Sequence, residues 1–182
     1  MKATGIVRRI DDLGRVVVPK EIRRTLRIRE GDPLEIFTDR EGEIILKKYS
    51  PVGELSGFAQ QYADSLAQTL NCLVCVCDMD QIIAAAGAGK KEVQEQYVTA
   101  QVQKILCNRS LVIAKEGEKN YVPICNGQQE TYTEEVVAPI LCEGDVIGGV
   151  ILLNKDNKRK FLDLEQKMAA CASTFLGKQM EQ

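Results

Sequence analysis

Basic side chains cluster near the start of this 182-residue sequence. Residues 8–29 contain eight basic and three acidic side chains. The basic ones are Arg8, Arg9, Arg15, Lys20, Arg23, Arg24, Arg27 and Arg29. A guanidinium group presents a planar fork of N–H donors that matches carboxylate and phosphate oxygens, so the chemistry on offer is anion binding. A run of charge is also the ordinary solvated face of a soluble protein, and both interpretations stay open at this point.

The charge is distributed unevenly along the chain. Residues 1–50 contain 12 Lys and Arg and 9 Asp and Glu, a net charge of +3. Residues 51–182 contain 12 basic and 17 acidic residues, a net charge of −5. A basic N-terminal part followed by an acidic remainder indicates that the two parts have different partners.

Histidine is absent, which excludes several kinds of catalytic and metal site. Its absence removes His-ligated zinc, Ser-His-Asp and Cys-His catalysis, and a haem with a proximal histidine. Of seven cysteines, Cys72, Cys75 and Cys77 lie within one apolar run, which favours packed thiols over a zinc or redox pair. The other four are scattered singly: Cys107, Cys125, Cys142 and Cys171. We predict no metal and no cofactor.

Two strands and a turn are predicted to position the first arginines. Residues 4–10 and 15–18 form the strands, and Gly14 can supply a positive φ in the turn between them. Arg8 and Arg15 then take mirrored places on a hairpin, where their side chains can converge.

A short helix and a second hairpin are predicted to follow. Pro19 ends the strand and suits the first turn of a helix. Arg23 and Arg24 are therefore expected near the helix start, where backbone amides favour anions. Residues 34–48 form the hairpin, and its expected inward residues are Leu34, Ile36, Ile44 and Leu46. About 50 residues in such short elements cannot bury much surface alone and leave open strand edges. We infer an intertwined dimer.

The rest of the chain predicts an α+β domain with helices packed on a mostly antiparallel sheet. The predicted helices are residues 55–70, 90–106 and 161–175. The predicted strands lie within residues 72–80, 81–89, 110–114, 121–124, 136–141 and 145–153. Turns are expected at residues 78–81 and at Glu143 and Gly144.

The N-terminal residues closely resemble the AbrB-type transcription regulators. The resemblance covers residues 2–49 and rests on TGIVRRIDDLGRVVVPKEIRRTLRI, followed by GDPLEI and IILKKY. It implies an all-β swapped-hairpin barrel that is dimeric and binds double-stranded DNA. The arginines of the family fall on Arg8, Arg15, Arg23 and Arg24, whereas Lys20 is assigned a phosphate contact only. Such domains are expected to recognise DNA shape and flexibility.

The C-terminal stretch VVAPILCEGDVIGGVILL resembles the closing strands of GAF domains. The resemblance implies an α+β GAF-like domain that serves oligomerisation and small-molecule sensing, although no residue set identifies a ligand. The expected division is residues 1–50 for the DNA-binding domain, 51–55 for a linker and 56–182 for the GAF-like domain. Apolar stripes on residues 55–70 and 161–175 predict a helix bundle with a second copy, and hence a homotetramer.

The sequence also permits two other functions and contains one further basic cluster. Some GAF proteins reduce free methionine sulfoxide with paired cysteines, for which Cys107 and Cys142 are the candidates. Swapped-hairpin barrels also occur in antitoxins, but those carry a disordered tail, whereas this C-terminal half is apolar and periodic. The cluster of Lys155, Lys158, Arg159 and Lys160 is interpreted as a solvated turn, with auxiliary DNA contact as the alternative. No apolar run reaches the roughly 18 residues of a membrane helix, so we expect a cytoplasmic, nucleoid-associated protein without a membrane partner.

Overall fold

The computed structural model describes residues 4–126, 128, 132–156 and 158–181. The chain divides into two compact units, Met1–Tyr49 and Ser50–Gln182. No helix of the described residues is long and apolar enough to cross a membrane.

The first unit contains one short helix and one hairpin. Helix α1, Lys20–Thr25, starts directly after Pro19, whose φ of −57° suits a helix entry. Strands β1, Leu34–Thr38, and β2, Ile44–Lys48, pair antiparallel with Ile36 opposite Leu46. The helix after Pro19 and the second hairpin are therefore confirmed.

The two strands predicted before Pro19 are not formed within the single chain. Residues 4–10 and 15–18 lie outside the described strands. The turn between them is present, because Gly14 donates its N–H to Asp11 and has a φ of 76°. A strand needs a ladder partner along its length, and pairing between these arms is limited to the bond from Asp11 N to Arg15 O.

The expected inward residues of the β1–β2 hairpin are exposed in the single chain. Ile36 and Ile44 are 67% and 69% exposed, Leu46 is also exposed, and Leu34 is half-buried. Among residues 4–49 no residue is buried. The prediction was wrong for one chain because no second layer covers this hairpin.

The second unit is built on a five-stranded antiparallel sheet in the order β4-β3-β7-β6-β5. Its strands are β3 Leu73–Asp78, β4 Ile82–Ala86, β5 Val112–Lys115, β6 Glu134–Cys142 and β7 Asp145–Asn154. The turns at residues 78–81 and at Glu143 and Gly144 are confirmed. Glu143 and Gly144 have φ values of 49° and 88°, which suit a two-residue hairpin connection.

Helices cover both faces of this sheet. The helices are α2 Pro51–Glu54, α3 Ser56–Leu70, α4 Lys90–Val93, α5 Ala100–Cys107 and α6 Asp163–Gln179. Helices α3 and α6 bury Leu66 and Ala172 against Val150 and Leu152. Helices α4 and α5 lie on the opposite face, where Leu106 packs with Ile151. Because alternate strand residues point to opposite faces and helices cover both, β7 is apolar from Val146 to Leu153, and the buried Asn154 at its end is polar.

Three segments of the second unit differ from the sequence prediction. Residues 51–55, expected as a linker, contain α2, and Val52 is 1% exposed within the core. The helix expected over residues 90–106 is divided into α4 and α5, because Glu95 has a φ of 61° and Val98 forms an isolated bridge to Cys125. That bridge also replaces the strand expected at residues 121–124.

Candidate nucleic-acid interface

The turn at residues 11–15 positions Arg15. Arg15 Nε donates to Asp11 Oδ2 at 2.8 Å, and the Arg15 backbone N–H donates to Asp11 Oδ1 at 2.8 Å. Both hydrogen bonds from Arg15 lower the pKa of Asp11. The Arg15 side chain nevertheless remains 69% exposed. Asp11 is a site residue that sequence reasoning missed, although an acid four residues before an arginine across a tight turn was a usable signal.

Helix α1 carries Lys20, Arg23 and Arg24. Arg23 is half-buried and Arg24 is exposed. Both arginines lie in the last turn of this six-residue helix, and the first turn contains Glu21 instead. The expectation that they sit beside the free amides at the helix start was wrong, because the helix begins at Lys20 and the N–H of Arg23 already donates to Pro19 O.

Arg8 lies on the exposed segment before the turn. Backbone pairing between the two arms stops at Asp11 and Arg15, so it does not fix Arg8 opposite Arg15 in the single chain. Among residues 4–49, no carboxylate forms an ion pair with Arg8, Lys20, Arg23 or Arg24.

Lys48, at the end of β2, has partners inside the first unit. Lys48 Nζ lies 2.8 Å from Asp32 Oδ2 and donates to Arg27 O at 3.4 Å. Burial by itself raises the pKa of Asp32, but the hydrogen bonds from Lys48 and Arg29 outweigh that effect, and the pKa is lowered. Lys48 therefore stabilises the end of the hairpin, whereas the predicted site residues other than Arg15 leave their charges available to a ligand.

The cysteine-rich strand of the second unit is packed. Cys72 belongs to the core under α3 and α6, whereas Cys75 and Cys77 face α5 on the other side of the sheet. Burial raises the pKa of Cys72 and Cys77 to about 12. Cys72 and Cys75 thus cannot act as a ligand pair, since three residues along a strand place side chains on opposite faces.

A buried acid lies on the α5 face of the sheet. Glu135 is fully buried, and its Oε1 accepts a hydrogen bond from Val122 N at 2.9 Å. Desolvation raises its pKa to about 7. Within the described residues, Glu135 Oε2 and the Tyr132 hydroxyl lack hydrogen-bond partners. Sequence reasoning missed both residues, although a charged residue directly before the apolar run of β6 was a signal for Glu135.

The basic loop between β7 and α6 is partly internal. Arg159 donates to the carbonyl of Leu70 at the end of α3, and its Nη2 lies 2.9 Å from Glu165 Oε1 in α6. Phe161 N donates to the buried carboxylate of Glu134. The interpretation as a solvated turn holds for the exposed Lys158 and Lys160, whereas Lys155 Nζ lies over the Tyr132 ring, 5.6 Å from its centroid. It was wrong for Arg159, which bonds the loop to α3 and to α6.

Comparison with known proteins identifies the family. Residues 54–181 match the family model described as stage V sporulation protein T C-terminal, transcription factor. The chain is 50% identical over 182 residues to stage V sporulation protein T of Bacillus subtilis strain 168, which covers 100% of both chains. This chain belongs to the stage V sporulation protein T family.

The first unit of this family member resembles two related groups. Residues 7–54 match the family model described as antidote-toxin recognition MazE, bacterial antitoxin. The chain is also 67% identical over 51 residues to the transition state regulatory protein AbrB of Bacillus subtilis strain 168, which covers 28% of this chain and 52% of that protein. The resemblance to AbrB-type regulators is confirmed.

The second unit has the fold of GAF domains. The GAF domain of Thermosynechococcus elongatus PixJ matches with a TM-score of 0.57 and 12% identity, over 74% of this chain and 89% of that chain. The type II free methionine-R-sulfoxide reductase of Thermoplasma acidophilum matches with a TM-score of 0.51 and 14% identity, over 69% and 94%. At such identities only the fold is shared, and the predicted GAF-like fold is confirmed.

Proposed function

We propose that this member of the stage V sporulation protein T family is a transcription regulator of sporulation genes that binds double-stranded DNA through its first unit. The observation that carries the proposal is a cluster of basic side chains, of which Arg8, Lys20, Arg23 and Arg24 have no carboxylate partner among residues 4–49, on a unit 67% identical over 51 residues to AbrB. Arg8, Arg15, Arg23 and Arg24 bind the duplex, and Lys20 contacts phosphate. Guanidinium groups bind backbone phosphates and favour a narrow minor groove, which gives recognition by DNA shape.

The binding form of the first unit is a dimer. Large apolar side chains on residues 4–49 are exposed: Ile6, Val7, Ile10, Leu13, Val16, Val17, Leu26, Ile36, Phe37, Ile44, Ile45 and Leu46. So many exposed apolar side chains on about 45 residues indicate an interaction site. A second copy would cover it and supply ladder partners for residues 4–10 and 15–18. The resulting assembly is the swapped-hairpin barrel, with residues 1–50 as the DNA-binding domain.

The second unit is the sensor and oligomerisation domain. It consists of residues 56–182, assigned from the sequence, together with α2, which packs into its core. Phe58 on α3 is 54% exposed, and Phe175 on α6 is 37% exposed and stacks on Tyr62 with ring centroids 5.2 Å apart. These aromatic groups form an apolar surface that a second copy can cover. A barrel dimer and a helix-bundle dimer in one chain close into a homotetramer.

Regulation rather than catalysis is the activity that we propose, in the cytoplasm and at the nucleoid. The similarity to a methionine sulfoxide reductase is a similarity of fold alone. Cys142, one of the two candidate cysteines for that reaction, has a pKa above its ordinary value, and burial is the largest cause. A raised pKa disfavours the thiolate that a thiol reductase needs. The antitoxin alternative is not favoured, because the second unit has a packed core on both faces of its sheet.

Titration of full-length protein with a duplex over a range of salt concentrations tests the proposal. Affinity should fall linearly on a log–log plot, with a slope of about −0.9 per phosphate contacted. A slope near zero, or no binding at low salt, would overturn it.

A further inference from the structure

Two consecutive residues at the junction are anchored in different units. The backbone N–H of Tyr49 donates to Pro33 O at 3.0 Å within the first unit. Ser50 is the N-cap of α2, and its Oγ accepts from Gly53 N at 3.1 Å and donates to Asp78 Oδ2 at 2.7 Å. Because the residues are consecutive, the way in which Ser50 is held determines how the chain enters the second unit.

Asp78 is itself held firmly in the β3–β4 turn. Its Oδ1 accepts from Asp80 N and Gln81 N, each at 2.7 Å. Gly148 on β7 packs against it so closely that a Cβ there would lie 3.1 Å from Asp78 Cα. One carboxylate oxygen therefore fixes the turn while the other fixes Ser50.

The same turn is bonded to α5. Gln103 Nε2 donates to Met79 O at 2.7 Å and to Asp80 Oδ1 at 3.3 Å. Val98, just before α5, donates its N–H to Asp80 O at 2.9 Å. Helix α5 covers the face of the sheet on which Glu135 and Tyr132 are buried, so hydrogen bonds run from this face through the turn to the junction.

We infer that Asp78 couples α5 to the junction between the two units. A displacement of α5 moves the β3–β4 turn, because Gln103 is bonded to it. The movement weakens or strengthens the hydrogen bond between Asp78 and Ser50. Since Ser50 caps α2, the stability of the first turn of α2 changes with it. The consequence for DNA binding rests on the proposed function of the first unit. A two-site coupling of this kind requires that a change at one end alter the equilibrium at the other.

Amide hydrogen exchange of full-length protein, followed on peptides that cover residues 50–54, tests the coupling. Ser50→Ala should speed exchange there about fivefold, the effect of a lost N-cap. Gln103→Ala should also speed exchange of residues 50–54. In protein that already contains Ser50→Ala, it should cause no further increase in the exchange rate. Gln101→Ala is the matched control, because Gln101 is an exposed glutamine on the same helix. Unchanged exchange in Gln103→Ala, or an undiminished effect in the double variant, would overturn the inference.

A conservative variant separates coupling from simple damage at the cap. Ser50→Thr retains a hydroxyl, so the response to Gln103→Ala should persist in that background. Its loss there would contradict the inference. The exchange experiment contains no DNA, so a wild-type protein that fails to bind a duplex would overturn only the proposed function.

Discussion

Asp11 accepts two hydrogen bonds from Arg15, one from the backbone N–H and one from Nε, each at 2.8 Å. The Nε bond uses one edge of the guanidinium and leaves the two terminal nitrogens for another anion. A flexible side chain is thereby oriented before it meets a ligand, which lowers the conformational entropy lost on binding.

Single alanine substitutions of Arg8, Arg15, Arg23 and Arg24 should each weaken duplex binding. Each variant should also lower the salt slope by about one per lost phosphate contact in each protomer. Arg40→Ala is the control, because Arg40 is an exposed arginine in the β1–β2 turn outside the predicted site. Fluorescence anisotropy at several salt concentrations measures both quantities. Four variants with the wild-type affinity would contradict the site assignment.

Arg159→Ala should destabilise the second unit. The change removes the bonds to Leu70 O and Glu165 and leaves the 3%-exposed Glu165 without its cationic partner. The Arg159 side chain is 35% exposed, so we expect a loss of about 2 kcal/mol, below the range for a fully buried pair. Lys160→Ala, at an exposed neighbour, should leave the free energy of unfolding within about 0.5 kcal/mol of wild type. Urea denaturation at fixed protein concentration compares the two, and equal losses would contradict the structural role of Arg159.

Glu135→Gln should remove part of the pH dependence of stability. The pKa of Glu135 is about 7 in the folded chain against 4.5 for the free side chain. Its contribution to stability is therefore fully present below pH 4.5 and is lost as the pH rises towards 7. Between pH 5.5 and 8 the wild type should lose about 2 kcal/mol from this group, and the variant should not.

The glutamine variant keeps an oxygen for Val122 N, so the comparison isolates ionisation. Glu116→Gln, at an exposed carboxylate, is the control and should retain the wild-type slope. Parallel slopes for wild type and Glu135→Gln in urea denaturation at the two pH values would show that Glu135 does not titrate in this range.

Local patterns in the sequence predicted most of the second unit. The continuous apolar run of β7 and the apolar stripes of α3 and α6 extend over enough residues to specify strand and helix. The division between α4 and α5 was not predictable in this way, because it depends on Val98 bonding to Cys125, which lies far along the chain. The contact of Ser50 with Asp78 is of the same long-range kind.

The first unit shows a different limit of sequence reasoning. Its turn at Gly14 and its helix after Pro19 were predictable because Gly and Pro act locally. The strands at residues 4–10 and 15–18 have the composition of strands but no ladder within one chain. The role of Asp11 was not predicted, because it depends on the geometry of the turn that brings the Arg15 side chain back to the Asp11 carboxylate.

Phe58→Glu in the full-length protein should separate the proposed tetramer into barrel dimers and weaken DNA binding. A charge on this exposed aromatic position leaves the core of the second unit intact but opposes burial against a second copy. Linked DNA-binding dimers can gain roughly 10²- to 10⁴-fold in avidity, so the variant should lose a large part of that factor on DNA long enough for two barrels. Gln101→Glu, which places the same charge on the exposed side of α5, should leave assembly and affinity unchanged. Sedimentation velocity and DNA titration at one salt concentration measure the two effects, and a variant that sediments and binds as the wild type does would contradict the assembly through α3 and α6.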